Sequence, residues 1–376
     1  MGLSVTELTS ELVRCHPTHR STGVSDAIDL AGHTLKALGF DCEVRPYDGG
    51  RQITATHAFP TDGPHVIVHG HIDIEDVVQE SGWSAPGLWR AGEVRDGRVY
   101  GAGSSDMLGG IAVLIAAARR LAGRTGLTGR ITVQIAIDRH LGGGGTRALQ
   151  NADLPHASLA VLAEPTDRHV CTTAYGFAHY RLTSRAGGGV MAYAAEEDNA
   201  ATHAATALLA LDSANRMLQD LYPTQQHIRY VLPGSIHAGD SASTAAVTGA
   251  VELAIALPPL LPEETALDIV NDSLIRRFTA ADLPLPDWER MEPRFAATHL
   301  GHQNFSDLLR TVNPALRWCQ YPCPSDARVF QDLGIPVVLY GPGDLARTKR
   351  PDEYVEIAEL DECADTLDAA LARWLT

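Results

Sequence analysis

Apolar residues recur at helical spacing over residues 5–13 and again over 27–38, and Gly39 stands where a glycine would close the second helix. Residues 40–45 and 52–56 read as short strands. The compact apolar run Pro64-His65-Val66-Ile67-Val68-His69 predicts a buried strand that ends at Gly70-His71. Residues 98–101 lead into Ser104-Ser105-Asp106. An Ala/Leu-rich helix is expected over 107–121, with Asp106 near its N-cap. Further strands are expected over 129–138, 159–164 and 335–340. Strands alternating with helices predict an α/β fold whose sheet is mixed and mostly parallel, flanked by helices.

The pattern changes in the middle of the chain. Gly187-Gly188-Gly189 opens a loop, and helical spacing follows over 199–211. Alternating stretches surround 230–232 and 251–257, Pro258-Pro259 interrupts them, and a second helix is expected over 263–278. The order β-α-β-β-α-β predicts an inserted α+β sandwich. The expected division is a discontinuous α/β domain over 1–176 and 292–376, carrying an inserted domain over 177–291.

Composition narrows the function. At a prior of roughly 150 residues per domain, 376 residues suit two or three domains. Hydrophobic residues make up 45% and charged residues 20%, which excludes a disordered chain. The formal charge of -16 opposes nucleic acid and anionic lipid as partners. The sequence has no apolar run long enough for a membrane span and no basic, apolar leader at its start. Its six cysteines form no CxxC pair, which suits reduced thiols and a cytoplasmic location. Lys36 and Lys349 are the only lysines among 30 basic residues, so the position of Lys349 carries weight.

Chemistry in open α/β sheets gathers at the carboxyl ends of strands. Four such places carry polar residues here: His71-Ile72-Asp73, Asp106, Asp138-Arg139-His140 ahead of Gly142–Gly145, and Glu164-Pro165-Thr166. One His and several carboxylates drawn from separate strands suit a borderline-hard cation, tetrahedral zinc first. Within His71-x-Asp73 the Asp is placed to accept from the imidazole N–H and fix its tautomer. Each residue alone has an ordinary structural role open to it: Asp106 as a helix cap, Glu164 in a surface ion pair. The glycine run matches neither GxGxxG nor a Walker loop, and Ser104-Ser105 lies in no GxSxG elbow.

Taken together, these segments resemble the M20 metallopeptidases, the family of acetylornithine deacetylase, succinyl-diaminopimelate desuccinylase, aminoacylase and the glutamate carboxypeptidases. Gly70-His71-Ile72-Asp73 is similar to the first zinc motif, and residues 97–110 to the stretch whose Asp bridges two zincs. Ala163-Glu164-Pro165-Thr166 is similar to the third ligand motif. Ser325-Asp326-Ala327-Arg328, Gly341-Pro342-Gly343-Asp344 and Arg350-Pro351-Asp352-Glu353-Tyr354-Val355 are similar to later segments. The resemblance runs from about residue 23 to the end. It implies a zinc-exopeptidase-like fold, an inserted lid and dimerisation domain, a homodimer, and a small substrate carrying a carboxylate.

The departures from the family pattern are specific. Where the resemblance expects two consecutive Glu, a general base and a ligand, the chain has Arg139 and His140. Where it expects the last His ligand, the chain has Lys349. The inserted domain lacks the expected His around Gly189–Tyr193. One zinc set carries over complete as His71, Asp106 and Glu164. The other becomes Asp106, His140 and Lys349, and a protonated Lys has no lone pair to donate. Arg139 and Lys349 are therefore expected to replace the missing charge and balance Asp106, and are candidates to hold a substrate carboxylate or phosphate. His140 is left as either a base or a fourth ligand. Asp326 and Arg328 either bind a substrate carboxylate or pair with each other, and His237 is a candidate substrate contact. Cys319 and Cys323 are expected to be core or loop thiols. The resulting expectation is an amide-bond enzyme with one zinc, hydrolytic or turned to condensation. The competing expectation is a non-catalytic protein that binds a small anion or a partner.

Overall fold

The apolar run around Val66 forms the middle of the larger sheet. In this computed structural model, which describes residues 2–19, 21–76, 80–137, 143–150, 156–190, 192–224 and 228–376, the strand Thr61–His71 lies between Thr128–Ala136 and Leu159–Leu162. Both neighbours run parallel to it. Val66, Ile67 and Val68 are all buried, as a central strand without polar alternation requires. Outward on one side come Gly50–Ala58 and then Asp41–Tyr47, both antiparallel to their neighbours. On the other side Val337–Leu339 runs parallel to Leu159–Leu162 and antiparallel to Val170–Ala174, which also pairs with Trp318–Tyr321. The nine-stranded sheet is thus mixed, with a parallel centre.

This sheet belongs to a unit made of Met1–Thr173, His299–Tyr321 and Ser325–Thr376. Its helices Thr22–Ala37 and Gly109–Ala122 pack on the strands, and Ile357–Trp374 packs on Gly109–Ala122. The parallel strands finish at the same end of the sheet. They deliver His71 from one strand, and Glu164 just beyond the end of its neighbour.

The helix expected over 107–121 starts later, at Gly109, and its N-cap is Leu108. Ser104–Leu108 forms a widened turn in which Asp106 (φ -121, ψ 94) and Met107 (φ -134, ψ 38) leave helical geometry. Asp106 is therefore not the helix cap. Gly110, the second residue of the helix, lets it pass close to a strand end. A Cβ on Gly110 would lie 2.1 Å from the carbonyl oxygen of Ala163.

The second unit comprises Ala174–Thr298 with Pro322–Pro324. Its sheet orders Val231–Ala238, Thr248–Leu257, Gly176–Arg185 and Asp287–Phe295, every pair antiparallel. The helices Ala200–Leu221 and Glu263–Ala280 pack on each other, and the former also packs on the sheet. The unit has its own core, built on Leu182, Leu211, Leu253, Ile255, Leu274 and Phe278. The order β-α-β-β-α-β is the one the sequence pattern predicts. Among the described residues no helix is long and apolar enough to cross a membrane.

Candidate metal centre

Three side chains from three segments converge. His71 comes from the last position of Thr61–His71, Asp106 from the widened turn, and Glu164 from the loop after Leu159–Leu162. Each offers an atom within 4.8 Å of the others, and all three residues are buried. His71 Nε2 lies 3.3 Å from Asp106 Oδ1. The other ring nitrogen, Nδ1, lies 3.0 Å from the backbone carbonyl of Asp73. A Nδ1–H donating to that carbonyl leaves the Nε2 lone pair facing the carboxylates. The carboxylate expected to orient the ring is farther away, with Asp73 Oδ1 at 3.9 Å. It is the main chain of Asp73 that does the orienting.

Glu164 is fixed from outside the cluster. Tyr321 Oη donates to its Oε2 at 3.1 Å and Ser325 Oγ to its Oε1 at 2.8 Å. The turn that carries Asp106 is fixed by a fourth carboxylate. Glu353 Oε1 accepts from the amides of Ser105 (3.1 Å) and Asp106 (3.4 Å), and Oε2 accepts from the amide of Lys349 (3.2 Å). Ser105 Oγ also bonds the main chain of Asp344, accepting from its amide and donating to its carbonyl. Ser105 is thus a brace between loops.

The electrostatics match a cation site. Burial disfavours the His71 imidazolium, yet the carboxylates of Asp106, Glu164 and Asp73 outweigh it and push His71 up to about 9. Burial, then the Asp106 charge, pushes Glu353 up to about 7, against the pull of the Ser105, Lys349 and Gly103 amides. One imidazole and two buried carboxylates form a donor set of the N/O type that zinc takes, and a bound divalent ion would displace the His71 proton.

The remaining sequence candidates are scattered. Asp138, Arg139 and His140 lie outside the described residues. Lys349 does not set its ammonium on Asp106. Nζ bonds Glu75 Oε1 at 2.5 Å, and both side chains are about half exposed. A strongly hydrated ammonium is cheaper to hold at a wet rim than inside a buried cluster. Asp326 and Arg328 do not pair with each other. Asp326 Oδ2 accepts from Thr146 Oγ1 at 2.7 Å and lies 3.4 Å from His69 Nε2, while Arg328 bonds Asp332 at 2.7 Å. His237 is exposed on Val231–Ala238 of the second unit. Sequence reasoning missed Tyr321, Ser325 and Glu353. Ser325 and Glu353 sit inside segments that carry the resemblance, which was the available signal; Tyr321 had none.

With this geometry in place, comparison with known proteins is direct. The model of peptidase family M20/M25/M40 matches residues 67–373. The chain belongs to this family. A succinyl-diaminopimelate desuccinylase of Parvibaculum lavamentivorans is 31% identical over 170 residues, covering 43% of the chain and 41% of that protein. The matched stretch therefore spans about two fifths of that relative. Two solved structures share the fold over nearly the full length. The dipeptidase Dug1p of Saccharomyces cerevisiae has a TM-score of 0.76 at 13% identity, covering 98% of this chain and 95% of that one. Human carnosine dipeptidase 1 has a TM-score of 0.74 at 14% identity, covering 97% and 95%. This M20 chain thus brings His71, Asp106 and Glu164 together in one buried cluster.

Proposed function

We propose that this M20 chain is a zinc-dependent hydrolase of the amide bond in a small N-acyl amino acid or dipeptide-like molecule, with one zinc per chain. The observation that carries the reading is the buried meeting of His71, Asp106 and Glu164. Zinc held there supplies a Lewis acid for the scissile carbonyl and brings the pKa of a water toward about 7. His71 presents Nε2 because Asp73 holds the opposite nitrogen. Glu164 keeps one orientation because Tyr321 and Ser325 hold both its oxygens. Asp106 is held in place through its own backbone by Glu353.

Support for a single ion comes from Lys349. Its ammonium offers no lone pair and is engaged by Glu75. Arg139, at the position the family gives its general base, cannot take up a proton at neutral pH. Loss of such a base costs about 100- to 10,000-fold in rate. A guanidinium there suits the carboxylate of the substrate. We also propose a homodimer formed through the second unit, since Leu232 and Ile236 stand exposed on the edge strand Val231–Ala238.

Metal analysis and a panel of N-acyl amino acids test the reading, with His71→Ala as the control. One zinc per chain and a hydrolysis that His71→Ala abolishes support it. Two zincs overturn the account of Lys349. No zinc, with wild type and His71→Ala alike on every substrate, overturns metal catalysis in favour of a small-anion-binding or partner protein. Light scattering reads the oligomer, and a monomer overturns that part.

A further inference from the structure

We propose that Cys171 and Cys319 form a reversible disulfide site beside Glu164, closed by hydrogen peroxide and opened by a thiol reductant. Val170–Ala174 and Trp318–Tyr321 are neighbouring strands. The Val170 amide donates to the Arg317 carbonyl at 3.0 Å, and Thr172 Oγ1 donates to the Cys319 carbonyl at 3.2 Å. These contacts advance together along both strands, which places Cys171 opposite Cys319 in a parallel register. Residues opposite one another project to the same face of a sheet. The strand spacing of about 4.8 Å lies within the Cα separation of about 4.4–6.8 Å that a disulfide spans. The two thiols also meet each other, and both cysteines are free.

Their exposures differ in a way that divides the chemistry. Cys319 is partly exposed, whereas Cys171 is 1% exposed. The Cys319 thiolate attacks peroxide, giving a sulfenic acid and releasing hydroxide. The Cys171 sulfur then attacks the Cys319 sulfur and water leaves, carrying the Cys171 proton. In sum, two thiols and one peroxide give one disulfide and two waters. Tyr321 lies two residues beyond Cys319 on the same strand, and its hydroxyl holds Glu164. Drawing Cys319 onto Cys171 therefore displaces an outer support of the metal cluster. Such supports are worth about 10- to 100-fold in metal affinity.

Peptide mapping of the whole chain after peroxide treatment and alkylation tests the site. The expected product is a Cys171–Cys319 linked peptide, lighter by two hydrogens and reopened by dithiothreitol. In Cys171→Ser, and in Cys171→Ala should the serine fail to fold, Cys319 instead accumulates as a dimedone-trapped sulfenic acid. Chelator competition should show zinc bound about 10-fold more weakly by the oxidised protein, with recovery on reduction. Oxidation of Cys319 without linkage, or linkage to Cys323, overturns the site. Linkage with zinc affinity unchanged overturns the connection to Glu164. The mapping does not depend on catalysis, so its outcome is separate from that of the proposed hydrolysis.

Discussion

Glu164 shows how firmly a buried carboxylate can be oriented by its neighbours. Tyr321 and Ser325 between them occupy one site on each carboxylate oxygen, so the group meets an ion already oriented. Tyr321→Phe and Ser325→Ala should each weaken zinc by about 10- to 100-fold in chelator competition, with the circular dichroism spectrum unchanged. Glu353 yields a pH prediction. Its carboxyl rises from 4.5 to about 7 on folding. A carboxyl raised in this way contributes its stability fully below about pH 4.5 and loses it as the pH climbs through about 7. Glu353→Gln cannot ionise. Relative to that variant, the metal-free protein should lose up to about 3 kcal/mol between pH 4.5 and 8, read by urea unfolding at each pH. At this scale the sequence disclosed the three members of the cluster and hid their supports. His71 ends a strand, Glu164 follows one closely, and Asp106 sits in the turn just ahead of a helix, each within a compact motif. Tyr321 comes from a strand 157 positions away from its partner, with no local pattern to link them.

The turn Ser104–Leu108 decides what Asp106 can do, and here the sequence pattern misled. An Asp ahead of an apolar helical run signals a cap. The helix instead waits for Gly109, and Leu108 takes the cap position without a side-chain bond. The helix also passes close against Ala163 at Gly110, a constraint that appears only when both segments are in place. The strands were easier to read, because Val66-Ile67-Val68 and the alternation around 251–257 report burial directly. Lys349 gives the test at this scale. Its backbone has φ 56, a left-handed conformation that His also tolerates, and its amide shares Glu353 with the Asp106 amide. Arg139→Glu combined with Lys349→His should therefore raise the metal content from one toward two ions per chain by mass spectrometry. An unchanged content would show that these positions do not correspond to the family's ligands.

Across the whole molecule there are two separate hydrophobic cores, and the three side chains of the candidate cluster all belong to the first unit. Zinc at 100 times its dissociation constant should add about 2.7 kcal/mol to whatever unfolds with that site. Hydrogen exchange should show the gain in Thr61–His71 and in the turn around Asp106, while Glu263–Ala280 of the second unit exchanges at its zinc-free rate. Alternation of strands and helices made the split into a mixed sheet and an inserted sandwich readable in advance. What the ammonium of Lys349 would touch was not readable, because its partner Glu75 sits 274 positions away.

That ion pair has a practical side. Side-chain primary amines are almost absent from this chain, and one of the two stands half exposed on the loop tied through Glu353 to the Asp106 turn. A dye or cross-linker that seeks such amines therefore lands, as often as not, at the doorstep of the metal cluster. A single fluorophore placed there becomes a reporter of whatever enters.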